Sequence, residues 1–304
     1  MEKRKLILDC AAGADAVFAI ACAAVNKEAL ELLAVTTVYG GQGVDMAAKK
    51  VLALTDFYGL KVPVAGGMAE PVVRQAEYNT EGYEEENLEK DSIPESDREP
   101  EKEMAVFYLK NLLMNLPQGE QVTFACTGPL TNVALLLKLF PEVKERIREI
   151  IFIEEKNVYT DPEAVRMVCR TGVPLVLCGV NTTQKCTLNR HQILKLCQAP
   201  FEAVRLFGDE AGFALESTAD KFRGVTDIRG VVPLMYLVHP EIFTPKAAAL
   251  DAVCSDGKER GTMLCDFRWW NYKEGEMKDL VLTDADGSRF QEYLIQALYE
   301  LGEQ

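Results

Sequence analysis

Short apolar runs that alternate with segments of helical periodicity constrain the fold of this chain more than any other feature. Near-continuous apolar runs of this kind are typical of strands buried on both faces of a sheet. The runs are KLILD (5–9), LELLAVTTV (30–38), KVPVAG (61–66), QVTFACTG (121–128), EIIFIE (149–154) and VPLVLCGV (173–180). Strands that alternate with helices form right-handed βαβ units. The sequence therefore predicts an α/β fold with a mostly parallel central sheet flanked by helices.

Helices are predicted between these strands because apolar residues recur there with a period close to that of an α-helix. The predicted ranges are 15–25, 44–59, 104–116, 130–140 and 161–172. The region 188–243 has a more continuous helical pattern. Beyond it, residues 261–270 and 278–286 are predicted to form a hairpin, followed by a closing helix over 288–302.

A single domain over residues 1–304 is predicted, because a chain of this length can bury one large core. One segment differs in composition from the rest. Residues 81–103 contain eleven acidic and three basic residues, a local balance of 3 − 11 = −8. This segment is predicted to be an acidic surface excursion, and the alternative is a lid over a binding site.

Charge and cysteine content restrict the possible partners and the compartment. The net charge of −14 argues against binding to nucleic acid or to anionic membranes, both of which require a basic face. Small neutral or cationic molecules remain as ligands. The nine cysteines are an odd number without a CxxC pair, and most lie in apolar runs. Reduced, buried thiols of this kind indicate a cytoplasmic protein.

Polar side chains follow most of the predicted strands at the point where each strand ends. Asp9 and Asp15 follow the first strand, and further polar segments follow later ones: YGGQG (39–43), CTGPLTN (126–132), EEKNVYTDPEA (154–164) and NTT (181–183). Because ligands of open α/β sheets bind at the carboxyl ends of the strands, the sequence predicts a pocket at this edge.

These residues together resemble the inosine-uridine nucleoside hydrolase family, calcium-dependent enzymes that hydrolyse the N-glycosidic bond of ribonucleosides. Family members open with D-x-D-P-G-x-D-D-A, and this chain reads DCAAGADAV over 9–17. The TGPLTN turn (127–132) and an E-x-N followed by D-P-E-A (155–157 and 161–164) also resemble the family. The resemblance implies a nucleoside hydrolase-like, open Rossmann-like architecture, a nucleoside or ribose-like ligand, and a homodimer or homotetramer.

The departures from the family pattern concern its metal site. The aspartate that holds calcium and activates water in the family corresponds to Ala11, and a second aspartate ligand corresponds to Ala16. A third comes from an H-D-P motif, which aligns with Arg229-Gly230-Val231. The asparagine that usually follows the second strand is replaced by Gly41.

Loss of these carboxylates predicts loss of calcium. Calcium takes about six to eight oxygen ligands, and its affinity depends on how many are anionic. Only Asp9 and the backbone carbonyl of Thr127 remain as metal-ligand candidates, so no cofactor is expected. No catalytic base stands at the family position, Ala11, and Asp9 and Asp227 are the weak replacements. Substituting aspartate at positions 11, 16 and 230 together is predicted to restore calcium binding in part.

The residues that grip ribose hydroxyls in the family correspond to Asp15, Glu155 and Asn157. Their retention predicts a surviving sugar pocket. The alternative is that they are relics, with Asp15 capping a helix and Glu155 merely exposed. For Trp269-Trp270 the open interpretations are a base-stacking wall and a hairpin that packs on the core.

Three functional hypotheses follow. The first is a divergent family member without classical calcium-dependent activity that retains at most a ribose or nucleoside pocket. The second is an active N-glycosidase that uses rearranged acids, namely Asp9, Asp15 or Asp227. The third is a non-catalytic structural or regulatory subunit. Whether the chain is an enzyme therefore depends on acids that the sequence alone does not bring together.

Overall fold

The computed structural model describes residues 3–40, 43–74, 93–154, 156–217, 223–273 and 275–303. Its centre is a nine-stranded sheet in the order β10-β9-β11-β6-β5-β4-β1-β2-β3. The strands of this sheet are β1 (Arg4–Cys10), β2 (Leu30–Thr37), β3 (Val64–Gly66), β4 (Val122–Cys126), β5 (Ile147–Ile153), β6 (Leu175–Cys178), β9 (Phe243–Ala252), β10 (Met263–Asp266) and β11 (Asp279–Ala285). Strands β7 (Thr187–Asn189) and β8 (Val225–Asp227) form a separate antiparallel pair. The predicted α/β class is confirmed.

All six strands predicted from apolar runs are present and pair in parallel. The predicted hairpin near the C-terminal end is wrong. Strand β11 pairs in parallel with β6, and β9 lies between β11 and β10, antiparallel to both. No strand was predicted over 244–252, and β9, which spans these residues, is the antiparallel neighbour of both β10 and β11.

Helices cover the two faces of the sheet. They are α1 (Ala14–Val25), α2 (Val44–Phe57), α3 (Ala105–Met114), α4 (Thr131–Leu139), α5 (Lys156–Thr160), α6 (Pro162–Cys169), α7 (Val180–Thr183), α8 (Arg190–Cys197), α9 (Glu202–Ser217), α10 (Val232–Val238) and α11 (Gly287–Gly302). The five helices predicted between the strands and the closing helix are therefore confirmed, with ends that differ by a few residues. No helix in these described ranges is long and apolar enough to cross a membrane.

Helix α1 runs through one of the two cores. Every residue from 16 to 24 is buried, so its run of small side chains lets neighbouring elements approach closely. Alternation along β1 divides its side chains between the two faces: Leu6 and Leu8 join the core that contains α1, and Ile7 joins the core on the other face. The start of α1 and the end of β1 are thereby fixed by packing on both sides.

Only part of the predicted acidic excursion lies within the described residues, since 75–92 fall outside them. Residues 93–103 lie along the surface and are held to the body of the protein. Asp56 at the end of α2 accepts hydrogen bonds from Ser96 Oγ (2.5 Å) and Arg98 Nη1 (2.7 Å), and Arg98 also donates to the carbonyl of Val62. The arginine within the acidic stretch thus anchors it.

Candidate functional site

Asp9 ends β1 in a fully buried position, at the edge where the parallel strands terminate. Its Cα lies opposite Thr36 of β2 on one side and Cys126 of β4 on the other. Its Oδ1 accepts hydrogen bonds from Thr36 Oγ1 (2.5 Å) and Asn132 Nδ2 (2.8 Å). Its Oδ2 is buried without a hydrogen-bond partner in the structure. One carboxylate oxygen is therefore fixed, and the other retains an unused acceptor.

Burial changes the acidity of this group. Removal from water raises the pKa of Asp9 from its ordinary value to about 6, although the hydrogen bonds from Asn132 and Thr36 lower it. Burial likewise raises the pKa of the neighbouring Cys10 thiol far above its ordinary value, with the Asp9 charge adding to the effect. Cys10 is therefore an inert buried thiol, as preferred from the sequence.

Asn132, in the first turn of α4, connects three segments around Asp9. Besides the bond to Asp9, its Nδ2 donates to the carbonyl of Thr37 (3.0 Å), and its Oδ1 accepts from the backbone N–H of Met68 (2.9 Å). Gly67 lies against it so closely that a Cβ there would stand 2.2 Å from Asn132 Oδ1. The sequence assigned no role to Asn132, although its place in the TGPLTN turn was the available signal.

Asp15 lies in the first turn of α1 and contacts a distant segment. Its Oδ1 accepts from the backbone N–H of Gly230 (2.9 Å), and its Oδ2 lies 3.9 Å from Arg229 Nε. The side chains of Asp15 and Arg229 are each 30% exposed. The interpretation of Asp15 as a helix cap is wrong, because the N-cap is Gly13 and the carboxylate of Asp15 bonds across the fold instead.

The three positions where the family pattern places metal carboxylates are occupied by small residues, and two of them, 16 and 230, are tightly packed. Ala16, in the first turn of α1, is fully buried in the core on that side of the sheet. A Cβ on Gly230 would stand 2.1 Å from the Asp15 carbonyl oxygen. Ala11 is half-buried where the chain leaves β1, and a Cβ on Gly128 would lie 2.8 Å from the Ala11 amide nitrogen. The packing around positions 16 and 230 therefore leaves space only for small residues.

Thr127 and Asn157, both predicted site residues, are in direct contact. Asn157 Nδ2 donates to the backbone carbonyl of Thr127 at 3.0 Å. That carbonyl is one of the two remaining candidates for a calcium ligand, and this hydrogen bond uses one of its two lone pairs. Glu155, the third predicted sugar-binding residue, lies outside the described residues.

Asp161 is a further buried carboxylate near this edge, and its role is structural. It caps α6 by accepting from the Ala164 N–H (3.0 Å), and it also accepts from the Val72 N–H (3.0 Å) and Thr131 Oγ1 (2.6 Å). The D-P-E-A segment is thereby joined to the TGPLTN turn. The sequence identified both motifs but did not predict that they bind each other.

The remaining sequence candidates lie outside this cluster. Asp227 is in β8, opposite Thr187, with its Oδ1 3.2 Å from Arg223 Nη1. Trp269 and Trp270 follow β10 at the sheet edge and are 72% and 66% exposed. The interpretation as a hairpin that packs on the core is wrong, because both side chains are exposed. The base-stacking interpretation stays a prediction, and five strands separate β10 from β1, which carries Asp9.

The residues present do not fit calcium. Asp9 contributes a single carboxylate, the Thr127 carbonyl adds at most one neutral oxygen, and Arg229 places a cation beside Asp15. In the part of the chain that the structure describes, no group of three or more His, Cys, Asp or Glu side chains could hold a metal ion. Calcium requires about six to eight oxygens, several of them anionic, and this cluster supplies far fewer.

Stability should depend on the titration of Asp9. The pKa is about 6 in the fold and about 3.9 in the unfolded chain. Because the folded value is higher, the stabilisation from Asp9 is complete below about pH 4 and is lost as pH rises through about 6. Asp9→Asn retains both acceptor contacts at Oδ1 and removes the titration. As the pH rises from 4 to 7, the free energy of unfolding of the variant should increase by on the order of 2–3 kcal/mol relative to that of the parent, as measured by urea unfolding.

Asp279 does not complicate that comparison. Burial raises its pKa to about 6 as well, but it is present in both proteins and cancels in the difference. A difference between the Asp9→Asn variant and its parent that stays constant from pH 4 to 7 would contradict the assignment.

Comparison with known proteins identifies the family. The sequence model of the inosine-uridine preferring nucleoside hydrolases matches residues 6–292. The pyrimidine-specific ribonucleoside hydrolase RihB of Escherichia coli (strain SE11) is 30% identical over 280 residues, which cover 88% of each chain. The fold is similar to that of a purine-preferring ribonucleoside hydrolase from Gardnerella vaginalis, with a TM-score of 0.87, 23% identity and 99% of each chain covered. It is also similar to an inosine-guanosine nucleoside hydrolase, with a TM-score of 0.84, 22% identity and 99% of each chain covered. The chain therefore belongs to the inosine-uridine preferring nucleoside hydrolase family.

Proposed function

We propose that this chain is a pseudoenzyme of the nucleoside hydrolase family, which has lost calcium-dependent hydrolysis and retains a ribose- or nucleoside-binding pocket. The observation that carries the proposal is the chemistry of the three positions that correspond to metal carboxylates. One alanine is in the core, one is half-buried where β1 ends, and the glycine has no room for a side chain. Electrostatic attraction for a divalent cation is correspondingly small.

Loss of the metal also removes the means of activating water. Free water has a pKa near 15.7, and a bound cation or a positioned base is needed to generate the nucleophile at neutral pH. Glycosidic cleavage further creates a positively charged, oxocarbenium-like sugar that needs neighbouring negative charge. The methyl group of Ala11 supplies neither a base nor an anion.

The sugar-binding part of the proposal rests on Asp15 and Asn157. Asp15 is partly exposed, and its carboxylate is oriented by the Gly230 N–H and by Arg229. Carboxylates with one open side are the usual acceptors for sugar hydroxyls. We propose Glu155 as a third member of this set.

An active N-glycosidase with rearranged acids is the second candidate, and one observation favours it. Asp9 has a pKa near 6 and an unpartnered Oδ2, which are properties of a general acid or base. The same residue is fully buried, however, so no substrate reaches it in this conformation. The pseudoenzyme is therefore preferred.

Calcium titration combined with a base-release assay tests the proposal. We expect no saturable heat on calcium addition, and no release of base from inosine or uridine above the protein-free rate, with or without EDTA. RihB in the same assay is the positive control. Ribose and inosine should raise the melting temperature of the native protein, because a ligand that binds only the folded state stabilises it.

Each contrary outcome points to a specific error. Calcium-dependent base release would refute the pseudoenzyme. Metal-independent release that Asp9→Asn abolishes would establish the second candidate. A protein without hydrolysis or ligand binding would be the structural or regulatory subunit.

We further propose a cytoplasmic, single-domain protein that assembles as a homodimer or homotetramer. The absence of paired cysteines in the sequence pattern supports the reducing compartment, and the nine cysteines are all free in the structure. The family relationship supports the assembly. Sedimentation of the purified protein would test it.

A further inference from the structure

Arg229 and Gly230 hold the Asp15 carboxylate from both sides. The Gly230 N–H donates to Oδ1 at 2.9 Å, and Arg229 Nε lies 3.9 Å from Oδ2. The two residues are consecutive in the 3₁₀ turn Arg229–Val231, so a single short segment fixes the orientation of the carboxylate. We call this arrangement the Asp15 clamp, consisting of Asp15, Arg229 and Gly230.

The segment that carries Arg229 is firmly placed. Ile228 and Val231 on either side of the pair are fully buried, and the Ile228 N–H donates to the Cys186 carbonyl at 2.9 Å. Gly230 lies directly on the backbone of Asp15, with space for a hydrogen atom but not for a methyl group. The guanidinium therefore stands beside Asp15 because of core packing, and not because a long side chain happens to reach it.

The charges at the clamp differ from those of a calcium site in a specific way. A divalent ion balances several carboxylates, whereas here a guanidinium stands beside Asp15, and the second acid, Asp9, is fully buried. A guanidinium is permanently charged and presents five N–H donors in a plane. It can therefore order an adjacent carboxylate and still donate to a ligand.

We infer that Arg229 is the built-in cation of this pocket, and that the Asp15 clamp binds vicinal hydroxyl groups of a furanose without any divalent metal. This inference rests on the proposed ribose-binding function and adds its positioning residue. The Asp15 carboxylate accepts the hydroxyl hydrogens, while the guanidinium donates to the hydroxyl oxygens. Both side chains are 30% exposed, so a ligand reaches them from solvent. The ligand class is a neutral sugar or nucleoside with adjacent hydroxyls, and a 2′-deoxy compound lacks one of the two contacts.

Calorimetric binding of ribose, inosine and 2′-deoxyinosine tests the inference. The unmodified protein should bind ribose and inosine equally well in EDTA and in calcium, and should bind 2′-deoxyinosine roughly tenfold more weakly. Arg229→Gln should weaken inosine binding roughly tenfold or more, and Arg229→Lys should recover part of it because it restores the charge but not the planar set of donors. A purely structural role would not be rescued by charge in this way.

Arg289→Gln is the matched control. Arg289 Nε lies 3.7 Å from Asp286 Oδ2, a comparable ion pair at the start of α11. This variant should bind inosine as the parent does, and melting curves should show that all variants are folded.

The possible outcomes distinguish a failure of the proposed sugar binding from a failure of the role assigned to Arg229. If the unmodified protein binds neither ribose nor inosine, the proposed function fails and the inference fails with it. If it binds both but Arg229→Gln binds equally well, or if binding requires calcium, the role of Arg229 is refuted while a sugar pocket remains.

Discussion

Gly230→Asp should destabilise the protein strongly and should not restore a metal site. The Cβ of any residue at position 230 would stand 2.1 Å from the carbonyl oxygen of Asp15 and 2.8 Å from its Cα. These are backbone atoms of α1, which is buried along most of its length, so they have little freedom to move. Overpacking of this kind costs about 3 kcal/mol, or a lowering of the melting temperature by roughly 5–10 °C.

Thermal and urea unfolding of Gly230→Ala and Gly230→Asp would measure this effect. Both variants should lose stability, because the clash begins at the Cβ. Gly212→Ala in α9 is the control: its Cβ would meet only Ile193 Cγ2 at 3.6 Å, an ordinary contact, and alanine favours a helix. Gly230→Ala with the stability of the parent would show that the Arg229–Val231 turn moves freely relative to α1.

The packing therefore argues against the prediction that three aspartates at positions 11, 16 and 230 would restore calcium binding in part. Position 16 faces the core, and position 230 has no space for a side chain. Only position 11, which is half-buried, has an open side. The lack of space for metal-binding carboxylates at positions 16 and 230 is thus a property of the backbone packing as well as of the side chains.

Asn132→Ala should produce the second large effect. The substitution removes one hydrogen bond to Asp9 and one to the Thr37 carbonyl, both buried, and one from the partly buried Met68 N–H. A buried polar group left without a partner costs about 1–3 kcal/mol, and water that enters the space relieves part of this cost. The free energy of unfolding should therefore fall by about 3–5 kcal/mol. The bond from Asn132 also lowers the pKa of Asp9, so that pKa should rise in the variant and the loss should be larger at pH 7 than at pH 5.

Urea unfolding at the two pH values would measure both parts of this prediction. Asn111→Ala is the matched control, since Asn111 is exposed and donates to the Glu103 carboxylate at 3.1 Å. It should change stability by less than about 0.5 kcal/mol. A small, pH-independent loss for Asn132→Ala would mean that water replaces the amide and that Asp9 is less isolated than its burial indicates.

The local polar network was only partly accessible from the sequence. The strand ends, the DCAAGADAV segment and the TGPLTN turn could be identified because each has its own residue pattern. The bond between Asp15 and Gly230 joins residues 215 positions apart, and that between Asp9 and Asn132 joins residues 123 apart. No periodicity or spacing encodes such contacts, because they depend on how helices and strands pack.

The sequence by itself determined the α/β class, the six parallel strands that begin it, the helices between them and the family, because apolar periodicity and short motifs are local properties. It also showed that carboxylates were missing from positions 11, 16 and 230. Tertiary structure alone decided that β9 separates β10 from β11, that the tryptophans lie at the sheet edge, and that Arg229 reaches Asp15. The physical reason is that a carboxylate acquires its partners and its pKa from side chains brought together by core packing, and these lie far from it along the chain.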